Sequence, residues 1–325
     1  MFCRHFSIAY DFPVQTELTN SSTAAAEFIR RGGVVAFPTE TVYGLGANVF
    51  DGAAVRKIFE AKMRPADNPL IAHVASPEQI FSLASEVTPA AAKLIERFFP
   101  GPLTVVLPRA PKVPDVATAG LDTIGVRMPR NEFARAFLAA CGTPVAAPSA
   151  NVSGRPSPTT WRAVLEDLDG RIDCILQGEA TEIGLESTVV DCTGDTPLIL
   201  RAGAVSVEEL QAVVPTIKFY SASSGEPARS PGLKHRHYSP KARVSIISPG
   251  DVTQCPEQSA YIGVDEPGAN FAKTRICADV EDYARNLFAF FRGCDAEGIK
   301  QICCQEVDET GIGRALMDRI RRAAE

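Results

Sequence analysis

From about residue 23 to residue 214, short apolar runs alternate with segments whose apolar positions recur every three to four residues. The runs predict strands over 34–37, 70–74, 103–107, 123–128, 145–147, 172–176, 188–191 and 198–201. The periodic segments predict helices over 23–31, 51–62, 89–99, 132–140 and 160–168, and Ser206 with Glu209 forms a capping box ahead of one more. Such alternation implies an α/β domain whose sheet is covered by helices. Several strand pairs are joined by short loops rather than helices, so a mixed sheet is expected. Over about 221–240 the chain turns to Ser, Gly, Pro and charge, a linker composition with little to bury. A second alternation follows, with strands over 244–247, 260–264 and 299–304 and helices over 280–294 and 313–322. Ala284, Leu287, Phe288 and Phe291 give the first of these helices a strong apolar face. The expected division is a domain over 1–215 with its core at about 20–205, a basic linker over 216–240 and a smaller α/β domain over 241–325.

Length and composition agree with this division. A chain of 325 residues suits two domains, and 45% hydrophobic with 22% charged residues is the balance of a soluble globular protein. No apolar run approaches the roughly 20 residues a membrane helix needs. The segment Met1-Phe2-Cys3-Arg4-His5-Phe6 has none of the features of a signal peptide, so a cytoplasmic protein without a membrane anchor is expected. Nine cysteines without a CxxC pair resemble neither a disulfide framework nor a zinc site. They are expected to be reduced and buried, with Cys303 and Cys304 on opposite faces of one strand. A net charge of −6 argues against permanent tight binding of nucleic acid and leaves room for transient tRNA contact through a local basic patch.

The candidate chemistry gathers at the predicted strand ends. Lys62-Met63-Arg64-Pro65 ends a helix, where Pro65 stops continuation, and Ala66-Asp67-Asn68-Pro69 leads into the next strand with His73 on it. Two cations there serve either as a polyphosphate clamp or as a helix end that favours the dipole. Pro38-Thr39-Glu40-Thr41-Val42-Tyr43-Gly44-Leu45-Gly46 reads as a turn rich in hydroxyls and glycine, neither a Walker loop nor a dinucleotide fingerprint. Ala147-Pro148-Ser149-Ala150-Asn151, with Ser153 to Ser157 after it, offers donors for ribose or phosphate oxygens, or else a self-capped proline turn. Arg127, Ser187 and Arg201 recur at strand termini, where ligands of open α/β sheets collect. Within the linker, Ser230 to Pro240 carries Lys234, His235, Arg236, His237 and Tyr238, a composition suited to a cationic strap over an anion rather than to a metal site.

Taken in order, the PTETVYGLG turn, the KxRP–DNPL–His segment, the SxN loop, the STVVD strand and the RAG turn resemble the threonylcarbamoyl-AMP synthase family. The PGLKHRHYSP linker and the terminal GIGRALMDR segment resemble its two-domain long form. The resemblance implies a YrdC-like domain, an open twisted mixed sheet flanked by helices, followed by a smaller Rossmann-like α/β domain. It also implies the joining of L-threonine, bicarbonate and ATP into threonylcarbamoyl-AMP and pyrophosphate, for the N6-threonylcarbamoyladenosine of tRNAs. A separate threonylcarbamoyl transferase machinery would consume the product. Carried over residue by residue, the threonine-binding positions are Thr41, His73, Arg127, Ala147 and Ser187. The ATP-binding positions are Lys62, Arg64, Asn68, Thr123, Ser149, Asn151, Ser157, Arg201 and Tyr238. Lys62 and Arg64 are the expected catalytic pair, and Arg127 suits the substrate carboxylate through its bidentate fork. Magnesium is expected to arrive with ATP, with no metal ligand from the protein and no tightly bound organic cofactor. An RNA-binding module and a carbamoyl-transfer enzyme are the alternatives.

Overall fold

The computed structural model describes residues 15–220, 238–249, 251, 255 and 258–325. The first domain is built on eleven strands: β1 (Glu17–Thr19), β2 (Val35–Phe37), β3 (Gly44–Asn48), β4 (Ile71–His73), β5 (Leu103–Pro108), β6 (Thr123–Arg127), β7 (Val145–Ala147), β8 (Cys174–Leu176), β9 (Thr188–Asp191), β10 (Leu198–Arg201) and β11 (Lys218–Phe219). They lie in the order β1-β8-β2-β3-β7-β4-β6-β5-β9-β10-β11. The sheet is mixed, as expected: β4 runs parallel to β6 and β5 to β9, whereas β4 is antiparallel to β7 and β5 to β6.

Alternation along each strand sends neighbouring residues to opposite faces. Ala36, Leu45, Ala72, Val126 and Val190 belong to one apolar layer, closed by α2 (Gly52–Ala61), α3 (Pro89–Phe98), α4 (Asp115–Thr118), α6 (Trp161–Leu168) and α7 (Val207–Val213). Val35, Phe37, Val145 and Ala147 belong to the other, covered by α1 (Ser22–Arg30) and α5 (Glu132–Cys141). Phe137 of α5 is fully enclosed with its ring 5.1 Å from that of Phe37, and burial of one such side chain is worth about 1.5–3 kcal/mol. The cover on this second face stops short of β4, β6 and β9, and the candidate site opens there.

Where the sequence reading differs from the structure, the causes are local. Gly44 to Asn48 is a strand and not the end of a glycine turn. A Cβ on Gly46 would lie 2.5 Å from Val145 Cγ1 and 2.9 Å from the Phe37 ring, so this glycine lets a neighbouring strand and an aromatic ring close over the backbone. The chain remains in the large sheet through β11, which pairs with β10, so the first domain reaches past the expected division at residue 215. The short edge strand β1 and the polar edge strand β14 described below also went unread, since neither carries an apolar run.

Among the described residues the second domain has four parallel strands, β12 (Arg243–Ile247), β13 (Ala260–Gly263), β14 (Lys273–Ile276) and β15 (Gln301–Gln305), in the order β12-β15-β13-β14. Two helices, α8 (Val280–Ala296) and α9 (Gly313–Ala324), pack on the face that carries Val244, Ile262, Ile302 and Cys304. Cys303 points to the opposite face, as its place beside Cys304 requires. It is bonded to Cys255 in a disulfide, which corrects the expectation that all thiols are reduced. A separation of 48 residues gave that pairing no signal in the sequence. Cys141, Cys174, Cys192, Cys277, Cys294 and Cys304 are free and buried.

Helices α8 and α9 are sandwiched between the small sheet and the first domain. Arg292 of α8 holds Asp167 of α6 through two bonds of 3.0 and 2.8 Å and also donates to the Pro156 carbonyl at 2.6 Å. Arg285 Nε donates to the Glu182 carbonyl at 2.8 Å. Gly184, at φ +82°, lies under the α8 backbone, where a Cβ would come within 2.5 Å of Arg285 Cα. Gly184→Ala therefore meets both a left-handed backbone and a steric block. The expected outcome is a loss of about 1–3 kcal/mol in urea unfolding of the full chain. A change below about 0.5 kcal/mol, the size of an ordinary surface substitution, would show that the domains do not pack this closely in solution.

Candidate active site

A cavity of about 70 Å³ opens where β4, β6, β7, β9 and β10 end against the second domain. Thr41, Arg64, His73, Arg127, Ala147, Ser149, Ser187, Arg201 and Tyr238 line it, so nine of the residues singled out from the sequence converge on one space. They come from seven separate segments. The register explains the convergence: His73 is opposite Arg127 across β4 and β6, and Ile71 is opposite Ala147 across β4 and β7. All four side chains consequently share the open face.

Arg127 is 4% exposed and already engaged. Its terminal nitrogens donate to Thr41 Oγ1 at 2.8 Å and to Glu40 Oε1 at 2.6 Å, and Nε donates to the Gly101 carbonyl at 3.3 Å. The open bidentate fork expected for a substrate carboxylate is thus closed by the protein, and beyond these bonds one N–H remains on each terminal nitrogen. Glu40 is fully buried and also accepts from the Arg130 amide. Thr39 Oγ1 lies 2.8 Å from Thr41 Oγ1, extending the chain of hydroxyls behind the cavity wall.

His73 sits edge-on to the Phe37 ring, with centroids 5.7 Å apart, and its Nδ1 is 3.2 Å from the Ile71 carbonyl. Burial, then the nearby Arg127 charge, lowers its pKa to about 3. The imidazole is therefore neutral at physiological pH.

The two cations of the KxRP segment diverge. Asp51 caps α2, which ends at Ala61, and the left-handed Met63 (φ 51°) turns the chain between the two. Arg64 faces the cavity, donates to the Asn68 carbonyl at 3.1 Å and has its pKa lowered to about 10 by burial, which leaves it charged. Lys62 does not line the cavity. Its Nζ donates to the Ser149 and Asn151 carbonyls, both at 2.6 Å, and burial pushes its pKa well below the ordinary value, with Arg64 acting in the same direction. The expected direct clamp at Lys62 is corrected to a brace under the SxN loop.

That loop is held from within as well. Ser149 Oγ donates to Asn151 Oδ1 at 2.6 Å, and Asn151 Nδ2 donates to the Val152 and Arg155 carbonyls, so Asn151 shapes the loop while Ser149 meets the cavity. Asn68 contributes its carbonyl to Arg64. Thr123 begins β6 on the same face as Arg127 but four residues earlier, about 13 Å along the strand. Ser157 does not line the cavity either; its hydroxyl donates to Glu186 Oε1 at 2.6 Å. Arg201 reaches the Ser187 carbonyl through Nε at 3.1 Å and through a terminal nitrogen at 3.0 Å.

Three functional side chains escaped the sequence reading. Glu40 lay unremarked between the two threonines of the PTETVYGLG motif. Glu186, immediately before Ser187, is 6% exposed and lines the cavity. Burial would raise its pKa, but Arg319, Arg201 and the bond from Ser157 pull it below the ordinary carboxylate value. Arg319, in α9, is fully buried and donates to Glu186 Oε2 at 2.9 Å. A cation near the end of a terminal helix reads as solvent-facing, and no local signal separates it from its neighbours. The basic stretch from Ser230 to His237 lies outside the described residues, as do the first fourteen. Tyr238 is described: it is 6% exposed, has φ 65° and stacks on Phe288 at 5.4 Å, contrary to the expectation of a linker with little to bury. Among the described residues no three His, Cys, Asp or Glu side chains cluster as a metal site, and no helix is long and apolar enough to cross a membrane.

Residues 27–203 match the family profile described as telomere recombination, and residues 205–325 match the profile described as threonylcarbamoyl-AMP synthase, C-terminal domain. The threonylcarbamoyl-AMP synthase of Pyrococcus abyssi is 47% identical over 92% of this chain and 93% of the relative. That of Bacillus subtilis is 41% identical over 92% of each. A crystal structure of Pyrococcus abyssi Sua5 complexed with L-threonine superposes with a TM-score of 0.88 at 44% identity, covering 95% of this chain and 97% of that one. The fold and cavity, with these likenesses, define a two-domain enzyme of the transferase class. The chain belongs to the threonylcarbamoyl-AMP synthase family in its two-domain form, and its reaction is an adenylate-forming step of tRNA processing.

The depressed His73 pKa has a consequence for stability. An unfolded histidine takes up a proton near pH 6.5 and the folded one only near pH 3, so the unfolded chain binds more protons between these values. Stability conferred by the neutral ring is complete above pH 6.5 and declines as the pH falls through that window, by up to about 1.4 kcal/mol per unit. His73→Gln should show a shallower acid-side slope than the parent in urea unfolding between pH 6.5 and 4.5. Equal slopes would mean that the protonated ring is tolerated where it sits.

Proposed function

We propose that the enzyme makes L-threonylcarbamoyl-AMP and pyrophosphate from L-threonine, bicarbonate and ATP within this cavity. The observation that carries the reading is the convergence of Arg64, Arg127 and Arg201 with the Ser149 and Ser187 hydroxyls on one cavity. Threonine, the ligand of the Pyrococcus abyssi structure, would lie against Thr41, His73, Arg127, Ala147 and Ser187. The amine, once deprotonated, adds to the carbon of bicarbonate and water leaves, giving a carbamate. A carbamate oxygen then attacks the α-phosphorus of ATP, the bond to the bridging oxygen breaks and pyrophosphate departs.

Both partners in the second step are anions, so their repulsion is the main obstacle to reaction. Arg64 and Arg201, with Ser149 between their segments, suit the triphosphate, and charge held in place beforehand stabilises the developing transition state without reorganisation. Magnesium would come with ATP and would spread the charge of the phosphates. The carbamate is already ionised, so the adenylation step needs no strong base. A neutral His73 can donate or accept one hydrogen bond to threonine without adding charge. Lys62 acts indirectly, keeping the Ser149 carbonyl side of the loop in place. The ATP sites expected at Asn68, Thr123, Asn151 and Ser157 lie around the cavity, and only a nucleotide extending beyond it along β6 would reach Thr123.

Pyrophosphate release from ATP tests the proposal directly. It should require both L-threonine and bicarbonate, and leaving out either should abolish it. Release that persists without both would overturn the assignment.

A further inference from the structure

Arg319 belongs to the second domain, yet every described contact of its guanidinium except one is with the cavity wall. Nε donates to Glu186, one terminal nitrogen donates to the Ala202 carbonyl at 3.0 Å, and the guanidinium carbon lies 5.3 Å from the centre of the Tyr238 ring. The exception is Asp318, at 2.7 Å, which belongs to the same helix. Glu186 and Tyr238 line the cavity, and Ala202 follows the lining residue Arg201. One side chain thus fastens three segments that are far apart in sequence.

Glu186 is the one carboxylate among the described residues that line the cavity. An anionic wall residue opposes an anionic substrate unless its charge is cancelled. Ser157 satisfies one oxygen by a hydrogen bond, which leaves the charge in place, and Arg319 meets the other with a full opposite charge. We infer that Arg319 is a positioning residue of the active site, through which the second domain neutralises Glu186 and fixes the Tyr238 and Arg201 sides of the cavity for an anionic nucleotide. This rests on the reading that ATP binds in the cavity. The second domain is then part of the substrate site and not an appendage to it. Removing Arg319 leaves the buried Glu186 carboxylate without its bonded counter-charge, with Arg201 alone of the two arginines acting on it, next to the place of the triphosphate.

The test uses the full chain and four proteins: the parent, Arg319→Met, Arg319→Lys and the double variant Arg319→Met with Glu186→Gln. ATP binding is read by isothermal titration, and kcat and KM for ATP and threonine by pyrophosphate release, each after a thermal melt shows a folded protein. Arg319→Met should weaken ATP binding at least tenfold while the KM for threonine changes less than threefold. Adding Glu186→Gln should recover at least threefold of the lost ATP affinity, because the repelling charge is gone. Arg319→Lys, which keeps a cation, should fall between the parent and Arg319→Met, and it carries the test if the methionine variant fails to fold. ATP affinity within twofold of the parent in Arg319→Met overturns the inference, as does a double variant no better than the single one. A lysine variant indistinguishable from the parent in every constant would show that charge alone matters and would overturn the fastening role. A parent that neither binds ATP nor releases pyrophosphate sinks the functional reading first, before any variant is compared.

Discussion

Holding cations inside a protein at the ends of strands is the constraint on which this structure depends. A buried guanidinium or ammonium loses hydration, and a carboxylate partner restores the energy only by removing the net charge. Lys62, Arg64 and Arg201 donate to backbone carbonyls, those of Ser149 and Asn151, Asn68 and Ser187. A carbonyl supplies a partial negative charge and a fixed direction, and of the three cations Arg64 and Arg201 line the cavity. The carbonyls are in place because strands and tight turns end there. The mixed sheet, with β4, β6 and β7 in register, therefore serves chiefly to bring chain ends together around charges that water no longer supports.

The second domain answers the same constraint from the other side. Among the described residues three buried arginines sit on carboxylates, Arg127 on Glu40, Arg292 on Asp167 and Arg319 on Glu186, and two of these three pairs join the domains. Buried pairs of this kind contribute little net stability compared with apolar packing, but they specify geometry because a misplaced partner leaves a bare charge. Gly184 beneath α8 adds a steric requirement to the electrostatic one. Docking of α8 and α9 is consequently specific in position, and the cavity they close inherits that specificity.

What the sequence made legible divides along a physical line. Strands with apolar runs, helices with capped starts and the α/β class were readable because their signals are local. So were nine cavity residues, each recognised from a motif whose order along the chain is distinctive. Gly44 to Asn48 was misread since glycine in a strand has the same local signature as glycine in a turn, and only the Phe37 ring and Val145 above it decide between them. The direction of Lys62 was illegible for a related reason. Two cations one residue apart look equivalent until the left-handed Met63 sends them different ways. Glu186 with Arg319, separated by 133 residues, and Cys255 with Cys303 are pairings that only the packed domains create.

The partners of the cations also differ across the cavity, and the difference matches the substrates. Arg127 is paired with Glu40, so it contributes direction more than charge. Threonine enters as a zwitterion with no net charge, and directional donors suffice for it. Arg64 and Arg201 donate to the Asn68 and Ser187 carbonyls at the end assigned to the triphosphate. A wall carrying full charge at every position would hold threonine no better, and it would stabilise bound ATP ahead of the transition state, which brings no gain in turnover. A gradient from carboxylate-bonded Arg127 to carbonyl-bonded Arg64 and Arg201 places the positive potential where a carbamate and a phosphate must meet. Glu186 stands at the boundary between the two regimes, and its charge has to be cancelled for the gradient to exist. Arg319 of helix α9 brings a counter-charge to this wall from outside the catalytic sheet.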